Sequence, residues 1–334
     1  MNKVLLVVTS LTVLLVSSCK EKTTENCFTP PSAPLPVNIE YESVLGEISQ
    51  IRSKQDVVDL FKGREILMDY FFKRPEYPND SAFINELYRR FTHKGFDTLV
   101  SETNKIFGDE VKVKKEFSDA YSHLKYYFPD ARIPKIMTTV SGMENDLFFS
   151  DSLVIVGLDF FLGPNARYRP NLYNYMLGRY KPESVVPSVM LVTGISEGFN
   201  KIDPKDQTAL AEMVAYGKAY VFAQHTIPCV PDSTLFGYTP AETAGVYANE
   251  DLIWKKMIDD ELLFESSHLV KQKYLGERPN TTEISANCPG RIGMWTGMRM
   301  VGKYLRDNKL DVKKVMEEND ANRLFRNSGY KPVR

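Results

Sequence analysis

Through the first part of the chain, apolar residues recur three and four positions apart, as in Phe83, Leu87, Tyr88 and Phe91. That spacing places them on one face of an α-helix, so it predicts amphipathic helices over 47–62, 64–72, 80–92, 96–107 and 111–127. Gly63 separates the first two, and Pro129 ends the last. From Ile133 to Val140 the texture turns β-rich, Ser141-Gly142 marks a turn, and 146–149 and 153–156 read as further strands. Beyond Gly163 the helical spacing returns over 188–199, 206–224, 249–264, 290–305 and 311–318. The expected class is mainly α with a small antiparallel β-sheet (α+β). The expected organisation is one globular domain over 39–334, helical in 39–130, sheet-forming in 131–163 and helical in 164–334.

The N-terminus has a different pattern. Lys3, an apolar run from Val4 to Val16 and Ser17-Ser18-Cys19 have the form of an export signal that ends in a lipidation site. The run is too short for a bilayer core, which needs about 20 apolar residues. The expectation is therefore a removable signal over 1–18, a mature chain acylated at Cys19, and a protein tethered outside the cytoplasm. After Cys19 the polar, proline-rich stretch to residue 38 has no periodicity and reads as a flexible tether.

Charge narrows the partners. Lys and Arg number 42 against 43 Asp and Glu. No basic run stands out, so the field that attracts nucleic acid is missing. Besides Cys19 there are Cys27, Cys229 and Cys288. Cys229 and Cys288 both flank prolines in loops, and a Cys229–Cys288 disulfide is expected.

Catalytic patterns are weak. Gly194-Ile195-Ser196-Glu197-Gly198 has the spacing of a nucleophile elbow, but Phe199 to Pro204 reads as a loop instead of the helix an elbow needs, and Gly198 is more simply a helix C-cap. His93, His123, His225 and His268 contain no pair at helical ligand spacing, so no metal or other cofactor is expected. His225, at the end of the 206–224 helix, suits a charged group that complements the helix dipole. Asp159 lies between apolar neighbours and must find hydrogen-bond partners, either as a functional acid or as the cap of a turn. Glu250, one turn before Trp254, carries the same two readings. Tyr168, Tyr173, Tyr175, Tyr180, Tyr216, Tyr220, Tyr238 and Tyr247 suit either a core or a ligand face.

These landmarks together resemble the GldB family of gliding-motility lipoproteins from Bacteroidota. The resemblance rests on Cys19, on Val154 to Gly163, and on the Gly217-Lys218 helix running to Ile227-Pro228. It continues through Gly237-Tyr238-Thr239, Asn249-Glu250 with Trp254, and Pro289 to Gly297. It implies an exported lipoprotein tied to motility and its associated secretion machinery, with no assigned reaction. The family is also similar to helical zinc metallopeptidases of the His-Glu-x-x-His type, whose zinc motif would fall in the 188–199 helix. Met190-Leu191-Val192-Thr193 offers no ligands there, which implies a degenerate zincin-like architecture with its groove kept. The leading expectation is a non-enzymatic accessory lipoprotein at the outer membrane that binds an envelope partner through a face containing Asp159, Tyr238, Glu250, Trp254 and Arg291. The alternative is an envelope hydrolase of peptides or glycans that uses Asp159 and Glu250 as a carboxylate pair.

Overall fold

A computed structural model describes residues 27, 28, 30 and 32–332. The signal sequence, Cys19 and the start of the tether lie outside the described residues. Four strands, β1 (Tyr41–Ser43), β2 (Lys135–Thr139), β3 (Leu147–Phe149) and β4 (Leu153–Gly157), form one sheet in the order β1-β2-β4-β3. The sheet is mixed. β1 pairs parallel to β2 and β2 parallel to β4, and only β3 with β4 is antiparallel. The antiparallel expectation fails because β3 does not lie between β2 and β4: it pairs on the outer side of β4, which leaves β2 and β4 as parallel neighbours, and β1, whose Tyr-Glu-Ser sequence carries no apolar signal, adds a second parallel pair. A single buried carboxylate fixes β1: Glu110 accepts hydrogen bonds from Tyr41 Oη (2.5 Å), Ser43 Oγ (2.6 Å) and Thr138 Oγ1 (2.5 Å). β4 is buried along nearly its whole length, as its Leu-Val-Ile-Val sequence requires of a central strand.

Helices surround the sheet: α1 (Leu45–Ser49), α2 (Lys54–Leu60), α3 (Asp80–Phe91), α4 (Lys94–Phe107) and α5 (Val111–Tyr127) come before β2. After β4 come α6 (Val185–Ile195), α7 (Ala209–Thr226), α8 (Asp232–Phe236), α9 (Pro240–Ala248) and α10 (Glu250–Asp259). The chain closes with α11 (His268–Leu275), α12 (Ile292–Asp307), α13 (Val312–Glu317) and α14 (Ala321–Ser328). The expected 47–62 helix is two helices, because Ser53 and Asp56 build a capping box that starts α2 afresh. One continuous set of buried apolar side chains runs from Ile39 to Tyr330. Its spine is α7, buried at every residue from Gly217 to Thr226 and packed between α6 and α12.

Glycine sets how closely α7 and α12 cross. A Cβ on Gly217 would collide with the backbone of Gly297, and a Cβ on Gly297 with the carbonyl of Met213. Lys218, on the same helix, is fully buried. Its ammonium donates to the carbonyls of Lys201 (2.6 Å), Glu318 (2.9 Å) and Met316 (3.2 Å), which ties α7 to the chain around α13. Desolvation lowers its pKa to about 8.

Two expectations about the N-terminal stretch and its cysteines need correction. Cys229 is bonded to Cys27, and Cys288 is a buried free thiol. Cys288 is held in a tight loop of its own, where Thr281 N–H donates to its carbonyl (2.7 Å). The stretch read as tether to residue 38 is fixed at its described end. Phe28 stacks on His225 with ring centroids 4.3 Å apart, Val37 N–H donates to Ser122 Oγ (2.9 Å), and Ser118 Oγ donates to the Val37 carbonyl (2.6 Å).

Candidate functional site

The sequence-predicted residues fall in separate places. Asp159 is fully buried in the 3₁₀ turn after β4. Its carboxylate accepts from the backbone N–H of Ser141 (3.0 Å) and Met143 (2.7 Å) and from Ser141 Oγ (3.2 Å). Burial raises its pKa, against the opposing effect of these donors. Those bonds hold Gly142 and Met143 with positive φ (80° and 64°) and so set the path of the chain into β3. Asp159 is thus the organiser of a turn, the second of its two expected roles.

Glu250 lies in a different network. It accepts from Arg299 Nε (3.0 Å) and Tyr330 Oη (2.8 Å), while Trp254 packs edge-on against Tyr330 at 5.0 Å. Both residues therefore anchor the C-terminal turn. Glu250 and Asp159 belong to separate hydrogen-bond networks, Asp159 with Ser141 and Met143 and Glu250 with Arg299 and Tyr330. Tyr238 is buried, and its hydroxyl donates to the Gly290 carbonyl (2.7 Å). Ser196 Oγ donates to the Thr193 carbonyl (2.7 Å) at the end of α6, and no described histidine bonds to it. Burial pushes the His225 pKa down to about 4, and its Nδ1–H donates to the Val221 carbonyl (2.7 Å). At neutral pH it is an uncharged core ring, not the helix-dipole cation expected. Among the described residues no group of three or more His, Cys, Asp or Glu side chains is placed to hold a metal ion.

Arg291 alone of the predicted face lines an open cleft, of about 380 Å³. α6 supplies one wall through Ser188, Leu191, Val192 and Ile195; Asp146 and Leu147 at the start of β3 supply another, and Tyr216, Ala219 and Tyr220 of α7 the floor. One end is charged. Glu277 pairs with Arg179 (2.7 Å) and lies 3.7 Å from Arg291, while Tyr180 Oη donates to Asp146 (2.8 Å). Arg291 is a left-handed residue (φ 59°) at the start of α12, and it reaches Tyr220 Oη (3.4 Å) and the Phe236 carbonyl. Arg179 gets its position from a glycine contact. Gly178 and Gly237 pass so closely that a Cβ on Gly178 would strike the Gly237 carbonyl, and Gly237 has φ 69°. Arg179 Nε is buried with no hydrogen-bond partner.

A second cleft, of about 320 Å³, opens at the other end of β3 between Phe149, Thr193, Phe199 and Tyr121. In the larger recess of about 610 Å³ beside β1 and β2, Arg64 is bonded to Glu42 and Glu47 and Lys135 to Glu40 and Glu42. Sequence reasoning missed Arg179, Glu277 and Asp146, because each gets its role from loops that meet only in the fold. The available signals were Gly237-Tyr238 and the tyrosine-rich half of the chain, which did mark Tyr180, Tyr216 and Tyr220.

The family model described as "Gliding motility protein GldB" matches residues 27–332 of the chain. No curated protein and no solved structure matches it.

Proposed function

The chain belongs to the GldB gliding-motility family, and from that premise we propose that it is an accessory lipoprotein of the cell envelope that holds a partner protein in the cleft between α6 and β3. It acts without turnover. Its place is with motility or the associated secretion machinery, anchored through acylated Cys19 at the outer membrane. Among the described residues no helix is long and apolar enough to cross a membrane.

The observation that carries this reading is the construction of the cleft. An apolar helix stripe, Leu191, Val192 and Ile195, stands half-exposed beside a charged end whose groups are already committed to one another. Asp146 accepts from Tyr180 and Glu277 from Arg179, so both carboxylates are held in fixed positions on the rim by their neighbours. Such an arrangement recognises a surface and fixes its orientation. Apolar burial supplies the affinity and the ion pairs define the rim.

The test is a chromosomal Ile195→Glu replacement, with Lys105→Glu on the exposed face of α4 as control. Ile195 is 39% exposed, so a charge there spoils the cleft wall without entering the core. The expected result is loss of the cellular phenotype with Ile195→Glu alone, at unchanged protein level and unfolding temperature. An unaffected phenotype would remove the cleft from the function.

A further inference from the structure

β3 is the last strand of the sheet, and its outer edge is unpaired. The register Leu147↔Val156, Phe148↔Ile155 and Phe149↔Val154 is bracketed by bonds from Gly157 N–H to the Asp146 carbonyl (2.8 Å) and from Ser150 N–H to the Leu153 carbonyl (2.9 Å). In an antiparallel pair the mutually bonded residues alternate, so Phe148 directs its N–H and C=O at β4. Leu147 and Phe149 direct theirs the other way, and no described residue bonds to them. Edge strands are normally blunted by a charge, a proline or a bulge. Leu-Phe-Phe has no charge, proline or bulge, and its protection is its length of three residues. Yet this edge is not bare: all three residues are half-buried, Leu147 lines the 380 Å³ cleft, and Phe149 lines the 320 Å³ cleft.

We propose that the occupant of the cleft is an extended segment of the partner polypeptide, added as a fifth strand along β3 with its backbone bonded to Leu147 and Phe149. The proposal rests on the reading of the cleft as a partner site and specifies what enters it. Two outward N–H and C=O sets, two residues apart, match the repeat of a single extended chain. Side chains of that chain on the α6 side meet Leu191 and Ile195, so alternate positions are apolar. The half-buried edge admits a slender strand, whereas a second folded copy would have to bring its own bulk between the two cleft mouths.

The experiment selects binders from a displayed library of short linear peptides against the full-length protein in detergent. The backbone of a selected peptide is then scanned by N-methylation. Strand addition predicts that methylation at alternate positions weakens binding about tenfold or more, while the intervening positions change it by no more than about threefold. Phe149→Pro removes an outward N–H and no ladder bond, so it should weaken the same peptides with the sheet intact by circular dichroism. A methylation pattern without alternation, or no selected peptide at all, overturns the strand. A dimer of the full-length protein that dissociates on Phe149→Pro also overturns it, by giving the edge to a second copy. Ile195→Glu separates the two readings. Peptides that lack alternation but lose binding with Ile195→Glu leave the cleft in place as a partner site, and peptides indifferent to both substitutions bind elsewhere and remove it.

Discussion

His225 shows how little a residue's position in the sequence says about its charge. At a helix C-terminus an imidazolium is favoured by the dipole, but here Phe28 stacks over the ring, Tyr127 packs edge-on at 5.3 Å and the side chain is buried. Desolvation wins and lowers its pKa from 6.5 to about 4. Between these two values the unfolded chain binds the proton and the folded chain does not, so this group's contribution to stability is complete above about pH 6.5 and falls as pH drops towards 4. The difference in unfolding free energy between wild type and His225→Phe should therefore shrink by up to about 3 kcal/mol from pH 7 to pH 4. Denaturant titrations at the two pH values measure it, and taking the difference cancels the buried carboxylates, such as Asp159 and Asp232, that titrate in both proteins. A His225 ring that titrates near 6.5 by NMR would contradict the buried, neutral assignment. Asp159 repeats the lesson. A carboxylate among apolar residues is readable as a group needing partners, and both a turn and a catalytic role satisfy that reading. Only the backbone donors at Ser141 and Met143 decide between them.

Among elements, legibility tracks periodicity. Phe83, Leu87 and Phe91 line one buried face of α3 as their spacing requires, and the apolar run of β4 lies at the centre of the sheet. Strand direction is not legible. It depends on β4 lying between β2 and β3, and on β1, three residues held in place by the distant Glu110. The short α8, α9, α11 and α14 are also hidden, although α13, six residues long, falls within the expected 311–318. The α7–α12 crossing is likewise invisible in a single sequence, because Gly217 and Gly297 lie on different helices and become neighbours only on folding. Either Gly→Ala change forces the two backbones apart and should cost about 2–4 kcal/mol by chemical denaturation, more than any gain in helix propensity. The double variant should cost less than the sum of the two, because the first separation makes room for the second methyl. Additive losses would mean that the two glycines do not meet.

At the scale of the whole molecule, the disulfide sets how far the domain can stand from the proposed anchor. Cys19 precedes Cys27 by eight positions, so with Cys27 bonded to Cys229 at most about 29 Å of chain, at roughly 3.6 Å per residue, separates the proposed lipidation site from the bond. Without that bond the next described fixed point is Val37, and the reach roughly doubles. Which cysteines pair is not readable from spacing, because Cys27 lies in a stretch with no periodicity and Cys229 follows a helix more than two hundred residues later. Cys27→Ser should lower stability by about 2–4 kcal/mol through the freed loop. It should also move the His225 pKa up towards 6.5, because Phe28 is no longer held over the ring. Peptide mapping under non-reducing conditions checks the pairing, and a Cys229–Cys288 fragment would contradict it.

If the cleft between α6 and β3 holds the partner, the α6 wall of the cleft lies against it. Photo-crosslinking in living cells, with a benzophenone amino acid placed at Leu191, at Ile195 and at the control position Lys105, decides this. The first two positions should capture the same motility or secretion component and Lys105 nothing. Equal capture from all three positions, or capture from Lys105 alone, would place the partner elsewhere.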